Sequence, residues 1–193
     1  MLNNFKQYNF ILGSNSQRRS EILEEMGLDF KIIASNIDET IPKEINNKNA
    51  PIYLAKAKAD FLLNELNENE ILITADTIVL MNDEIITKPS SKKHAKDILQ
   101  RLSNNKHEVI TGVCISSNTN QHSFSSKTEV FFNKISNSEI EYYVDKFKPY
   151  DKAGSYGIQE WLGLISVRKI IGSYTNVVGL PSSELYQELN KFI

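Results

Sequence analysis

Two adjacent arginines, Arg18 and Arg19, stand in the run Ser14-Asn-Ser-Gln-Arg-Arg-Ser20, just after a short apolar stretch and just before a helical pattern. A helix N-terminus exposes unpaired amide donors and favours anions. Guanidinium groups beside it add charge and directional hydrogen bonds suited to phosphate oxygens. Glu21, Glu24 and Glu25 follow closely, so surface pairing of both arginines is the competing reading. The run is not a P-loop, because that motif's glycine spacing and terminal Gly-Lys-Ser/Thr are missing.

Asp76 is the second signal. It lies in Ile-Thr-Ala-Asp-Thr-Ile-Val, residues 73–79, between two strongly apolar runs. An unpartnered buried carboxylate is costly, so Asp76 should lie at a strand end, face a cleft or hold a cation. The alternative is a turn aspartate that caps a nearby amide. Lys88, followed by Pro89, could bring a point charge to the same cleft, and Lys58 could emerge beside an Ala55–Ala59 helix face; solvent exposure is the competing reading for each. A third segment, residues 151–159, combines two glycines with Asp, Lys, Ser, Tyr and Gln. Such a loop can approach a ligand closely. Gln159 could read the paired donors and acceptors of a base edge, or simply satisfy loop backbone. His107 reads as a structural or supporting histidine and Cys114 as a core residue, and no histidine has a credible zinc spacing.

Several elements must position these groups. Residues 10–13 and 30–34 read as strands around a helix that stops at Gly27, an order that suggests an α/β sheet with its ligand end beyond the first strand. A helix is expected at 51–66, with Pro51 in its first turn. Strands are expected at 71–75 and 78–81, joined through Asp76-Thr77, and Asn82-Asp83 offers a tight reversal into 84–86. Ser90 or Ser91 should cap a helix to Leu102. Strands at 108–115 and 124–132 follow, then a helix from the capping box Ser136/Glu139 through Val144. Residues 164–171 read as a strand, Gly172 precedes a short extended segment, and a last helix covers 182–190.

The 193 residues include 22 basic and 24 acidic ones, a net charge of −2, with 40% hydrophobic residues and little Pro or Gly. That composition fits one globular unit, 1–193, and argues against long-range attraction to nucleic acid or anionic membranes. No apolar run approaches the roughly 18 residues of a membrane span. The opening residues lack the pattern of a signal peptide, so a cytoplasmic chain is expected.

The ordered set of short segments resembles the Maf-like nucleoside triphosphate pyrophosphatases. The matching pieces are residues 13–23, Asp38-Glu39, Leu54-Ala-Lys-Ala-Lys-Ala59, Ala75-Asp-Thr77, Lys88-Pro89, residues 107–113, residues 151–159 and residues 172–181. The resemblance covers nearly the whole chain. It implies a Maf/ITPase-like fold: an α/β, single elongated two-lobed body with a mixed β-sheet and a central substrate cleft. It also implies conversion of a nucleoside triphosphate to monophosphate and pyrophosphate, with Asp76 at the catalytic acidic position. Arg19, Thr77 and Gln159 match the substrate-determining positions of the dTTP/UTP branch, and the form Gly154-Ser-Tyr-Gly-Ile-Gln159 favours it. Departures are Gln17 before Arg18, Asn104-Asn105 before His107, and Glu160-Trp161 after Gln159, the last bearing on the depth of a base pocket.

Water is a weak nucleophile and the triphosphate repels anions, so a divalent cation, Mg²⁺ or Mn²⁺, is the expected cofactor, with Asp76 and Glu39 as metal ligands. Ser14, Arg18, Arg19, Lys58, Thr77, Lys88 and Gln159 are the expected substrate-binding residues. The alternatives are a 7-methyl-GTP or broad modified-nucleotide pyrophosphatase, and a nucleotide-responsive division-control binding protein. No nucleic acid or membrane partner is expected, and the resemblance is compatible with a homodimer.

Overall fold

The computed structural model describes residues 5–193, so the first four residues of the opening segment lie outside it. Among the described residues, seven strands form one mixed sheet in the order β2-β1-β3-β5-β6-β7, with β4 added to β3. The strands are β1 (Asn9–Leu12), β2 (Phe30–Ile32), β3 (Glu70–Met81), β4 (Glu84–Ile86), β5 (Lys106–Ser116), β6 (Gln121–Phe132) and β7 (Val167–Ile171). The helices are α1 (Gln17–Glu25), α2 (Ala50–Leu62), α3 (Lys92–Leu102), α4 (Asn137–Phe147), α5 (Trp161–Ser166), α6 (Tyr174–Val178) and α7 (Ser182–Phe192). β1 runs parallel to β2 and β3, whereas the remaining pairs are antiparallel.

β3 decides where the site can be. The expectation of two strands joined at Asp76-Thr77 is corrected: β3 continues through both residues. Its antiparallel partner β5 carries it, pairing from Leu72 opposite Ser116 to Leu80 opposite Glu108, with Asp76 opposite Gly112. The opposite edge is covered only at its ends. β1 pairs with Glu70 to Ile73, and β4 pairs with Val79 to Met81. Residues 74–78 therefore have no strand neighbour on that edge. Backbone groups at such a gap must find side-chain or solvent partners.

β4 folds back through Asn82 (φ 53°) and Asp83 (φ 60°), the two left-handed residues of the tight reversal expected there. Behind the gap, α2 lies across β3 and β5. A Cβ at Gly112 would sit 2.3 Å from both the Pro51 carbonyl carbon and the Ile52 nitrogen. Backbone cannot yield as a flexible side chain can. Gly112→Ala is expected to destabilise the protein by about 3 kcal/mol, read as a lower urea midpoint with unchanged slope.

Buried apolar residues collect on either side of the gap. One large cluster joins Ile98, Leu99, Leu102, Phe132, Ile140, Val144 and Leu162 beneath α3, α4 and α5. Another joins Phe10, Leu12, Leu23, Ile73, Leu185 and Leu189 around α1 and α7. Ser136 and Glu139 form the expected capping box of α4, and Ser91 caps α3. Cys114 is fully buried, as expected.

Two readings of the C-terminal third change. Residues 164–166, expected to start a strand, instead close helix α5, and only Val167–Ile171 is extended. In the helix Leu162 and Ser166 face inward while Leu164, 77% exposed, faces out; alternation along a strand would have sent all three to one face. The segment after Gly172 is helix α6, whose first turn is capped by the Ser173 side chain accepting from the Asn176 amide.

Candidate active site

Asp76 faces the side of the sheet covered by α2. Its neighbour on that face, Thr74, donates to the Ala55 carbonyl at 2.7 Å. Lys58 lies on the buried stripe of α2 with Leu54, Ala55 and Leu62, and its ammonium is 2.7 Å from Asp76 Oδ1. The same nitrogen is 2.7 Å from Glu39 Oε1, in the segment leading to α2. The exposed reading of Lys58 is thereby replaced by a buried cation between two carboxylates. An ammonium has three donors, so two are engaged and one remains. Burial raises the pKa of Glu39, but the hydrogen bond and charge of Lys58, with Lys88 and Arg19 more distantly, hold it below the usual glutamate value.

Arg19 fills the gap from the other face. Its Nη1 donates to the Ala75 carbonyl at 2.8 Å, supplying an uncovered strand edge with a donor. Nη1 also donates to Ser14 Oγ at 3.1 Å, Nη2 to Thr77 Oγ1 at 3.1 Å, and Nε to the Gly179 carbonyl at 2.9 Å. Thr77 Oγ1 lies 3.0 Å from Thr111 Oγ1, which donates to the Asn176 carbonyl at 3.1 Å. The surface pairing considered for Arg19 does not occur; the side chain is buried and one Nη2 donor is left. Ser14 does not cap α1 directly but accepts the Ser16 amide at 3.2 Å.

Arg18 takes a different partner from the glutamates considered for it. It reaches 2.8 Å to Asp151, which also binds Lys152 at 2.8 Å. Burial raises the Asp151 pKa, but these two cations outweigh it and bring it down to about 2. Ser14, Arg18, Arg19, Glu39, Lys58, Asp76, Thr77, Lys88 and Gln159 all line one cavity of about 660 Å³. Lys88 and Gln159 are exposed within it. Trp161 packs edge-on against Tyr142, with ring centroids 4.8 Å apart, and does not line the cavity. Thr111 and Asn176, which brace Thr77, lie in two of the matching segments but were not singled out there, because the contact that joins them crosses from β5 to α6.

His107 is fully buried, and its Nε2 shares a 2.7 Å hydrogen bond with the Tyr156 hydroxyl. Burial pushes its pKa down from 6.5 to about 3. The folded state therefore resists a proton that the unfolded chain accepts below pH 6.5. Its contribution is fully present above that pH and is lost as pH falls toward about 3, by up to about 1.4 kcal/mol per unit. Urea unfolding at stepped pH should show a weaker acid dependence in His107→Gln than in wild type.

Among the described residues, no group of three or more His, Cys, Asp or Glu side chains is placed to hold a metal ion. Glu39 and Asp76 do converge, each on the Lys58 ammonium. Two carboxylates completed by substrate phosphate oxygens and water are the donor set Mg²⁺ commonly takes, so the residues fit such an ion.

A mixed α/β sheet with an edge gap, and a polar cleft lined by five cationic and five carboxylate side chains, with Lys58 between Glu39 and Asp76, define a protein built to handle a small polar ligand. The family model described as Maf-like protein matches residues 9–192, and the chain belongs to that family. It is 47% identical over 193 residues to the dTTP/UTP pyrophosphatase of Parabacteroides distasonis, covering 100% of both chains. It is 46% identical over 192 residues to the dTTP/UTP pyrophosphatase of Phocaeicola vulgatus, covering 99% of this chain and 100% of that one. The protein of the same name from Cytophaga hutchinsonii is 44% identical over 190 residues, covering 98% of this chain and 87% of that one.

Proposed function

We propose that the chain is a cytoplasmic nucleoside triphosphate pyrophosphatase that hydrolyses dTTP and UTP to the monophosphate and pyrophosphate, working as one Maf-like domain. The observation that carries this reading is the meeting of Asp76, Lys58, Arg19 and Thr77 at one uncovered stretch of β3. The full-length relatives named dTTP/UTP pyrophosphatase support the choice of substrates. Among the described residues, no helix is long and apolar enough to cross a membrane.

In this reaction the oxygen of water bonds to the α-phosphorus and the bond from that phosphorus to the bridging oxygen breaks. The pyrophosphate carries away the bridging oxygen and its electron pair. Asp76 accepts the proton of the attacking water. Lys58 and Arg19 each keep a free N–H, and with Lys88 and Arg18 they offset charge developing on the leaving group. Glu39 and Asp76 would hold the divalent cation, Mg²⁺ or Mn²⁺, which when bound neutralises phosphate charge and makes water more acidic. Thr77 and Gln159 contact the nucleoside end.

The test is product analysis across canonical and modified triphosphates with Mg²⁺ or Mn²⁺. Monophosphate plus pyrophosphate, fastest from dTTP and UTP, is expected. Diphosphate plus inorganic phosphate would refute the reaction, and faster turnover of 7-methyl-GTP would refute the substrate. Binding without product would favour the division-control reading.

A further inference from the structure

The loop that carries Gln159 is fastened at successive positions, and one fastening uses a residue outside the motif segments. Tyr156 is tied to His107. The next residue, Gly157, donates its amide to the Tyr143 hydroxyl at 3.1 Å, and that hydroxyl donates to the carboxylate of Glu160. The other Glu160 oxygen lies 3.2 Å from Lys152 Nζ. Glu160 also covers Gly157 so closely that a Cβ there would lie 2.9 Å from its Cδ. Beyond it, Gly163 presses on Ile158, where a Cβ would fall 2.0 Å from the carbonyl oxygen. Tyr156, Gly157, Gln159 and Glu160 all line the cavity, but of these Gln159 alone is exposed, and no hydrogen bond engages its amide among the described residues.

A side chain that reads a base edge discriminates well only if its backbone is fixed before substrate arrives, since ordering it on binding weakens the complex. Glu160 supplies that fixation from the position directly after Gln159. Its two oxygens join α4, through Tyr143, to the Asp151-Lys152 rim, which Arg18 links to α1. We propose that Glu160, held by Tyr143 and Lys152, is a positioning residue that aims the Gln159 amide at the substrate base and thereby sets nucleotide preference. The proposal rests on the reading of the cleft as a nucleoside triphosphate site.

Steady-state kinetics with UTP, dTTP, CTP, GTP and ATP test it. In Glu160→Ala, KM for UTP and dTTP should rise about tenfold with little change in kcat, and the UTP-to-GTP ratio of kcat/KM should fall by about the same factor. Glu160→Gln should restore most of that ratio, because its amide oxygen still accepts from Tyr143. Added to Gln159→Ala, the Glu160→Ala change should have no further effect on the ratio. Tyr143→Phe, which keeps the ring and removes the hydroxyl, should lower the ratio in the same direction and replaces Glu160→Ala if that variant does not fold.

A ratio unchanged in both Glu160→Ala and Tyr143→Phe, or lowered equally when Gln159 is absent, would overturn the proposal while leaving the assigned reaction intact. A wild type that hydrolyses all five nucleotides equally would instead overturn the assigned substrate, and this proposal with it.

Discussion

Asp76→Asn is expected to lower kcat for dTTP and UTP by about a thousandfold, the range lost when a positioned proton acceptor is removed. Saturating Mg²⁺ or Mn²⁺ should not rescue it, because the amide is neither an anionic ligand nor a base. The fold should survive. Asp76 lies mid-strand with its backbone paired to β5, and an asparagine oxygen can still accept from Lys58 2.7 Å away. Lys58 also keeps Glu39 as its counter-charge. Circular dichroism and the urea midpoint should stay close to wild type while pyrophosphate release falls. Activity retained at the wild-type level would remove Asp76 from the centre of the mechanism.

Lys58→Met should act on stability as well as rate. Methionine fits the apolar stripe of α2, so any large effect must come from the lost charge. The side chain of Asp76 is only 13% exposed, and without Lys58 it faces Glu39 with no cation between them. Breaking a buried ion pair by deleting one partner typically costs 3–5 kcal/mol. Glu39 is half exposed and can turn to water, which places the expected loss near the lower end, about 3 kcal/mol. The pH dependence supplies a separate check. The folded pKa of Glu39 lies below its unfolded value, so its stabilising contribution is present above the unfolded pKa and is lost as pH falls through the folded one. Without Lys58 that depression should disappear, and the acid limb of the stability curve assigned to Glu39 should flatten. Hydrolysis should fall at least a hundredfold, as phosphate loses a buried cation. A variant as stable and as active as wild type would contradict the arrangement.

What could be read in advance depended on whether a residue's partners were local. Lys58 stands beside the Ala55–Ala59 helix face, so its spacing allowed an approach to the sheet but left solvent exposure equally open, and its two carboxylate partners gave no local sign. The Ser136–Glu139 box and the Asn82-Asp83 reversal are complete within four residues and appear where expected. Arg19 was different. Its acceptors at Ala75, Thr77 and Gly179 are 56, 58 and 160 residues away, and nothing near Arg19 distinguishes a buried guanidinium from a surface one. The continuity of β3 through Asp76 was hidden for the same reason, since β5 is what holds those residues extended. The end of α5 was read as strand because Leu164 and Ile165 run directly into the extended residues Val167–Ile171, and the helical burial of Leu162, Gly163 and Ser166 shows only once the chain is packed. Glu160 stood out as a departure from the family pattern, but its role became visible only with Tyr143 and Lys152 placed beside it.

In the proposed reaction the cleft delivers water to the innermost phosphorus of a bound triphosphate. Hydrolysing UTP in oxygen-18 water and weighing both products by mass spectrometry tests it most directly. One heavy oxygen is expected in UMP and none in pyrophosphate. Label in the pyrophosphate, or in inorganic phosphate released beside UDP, would mean that water attacks a different phosphorus and that Asp76 does not serve the reaction assigned to it.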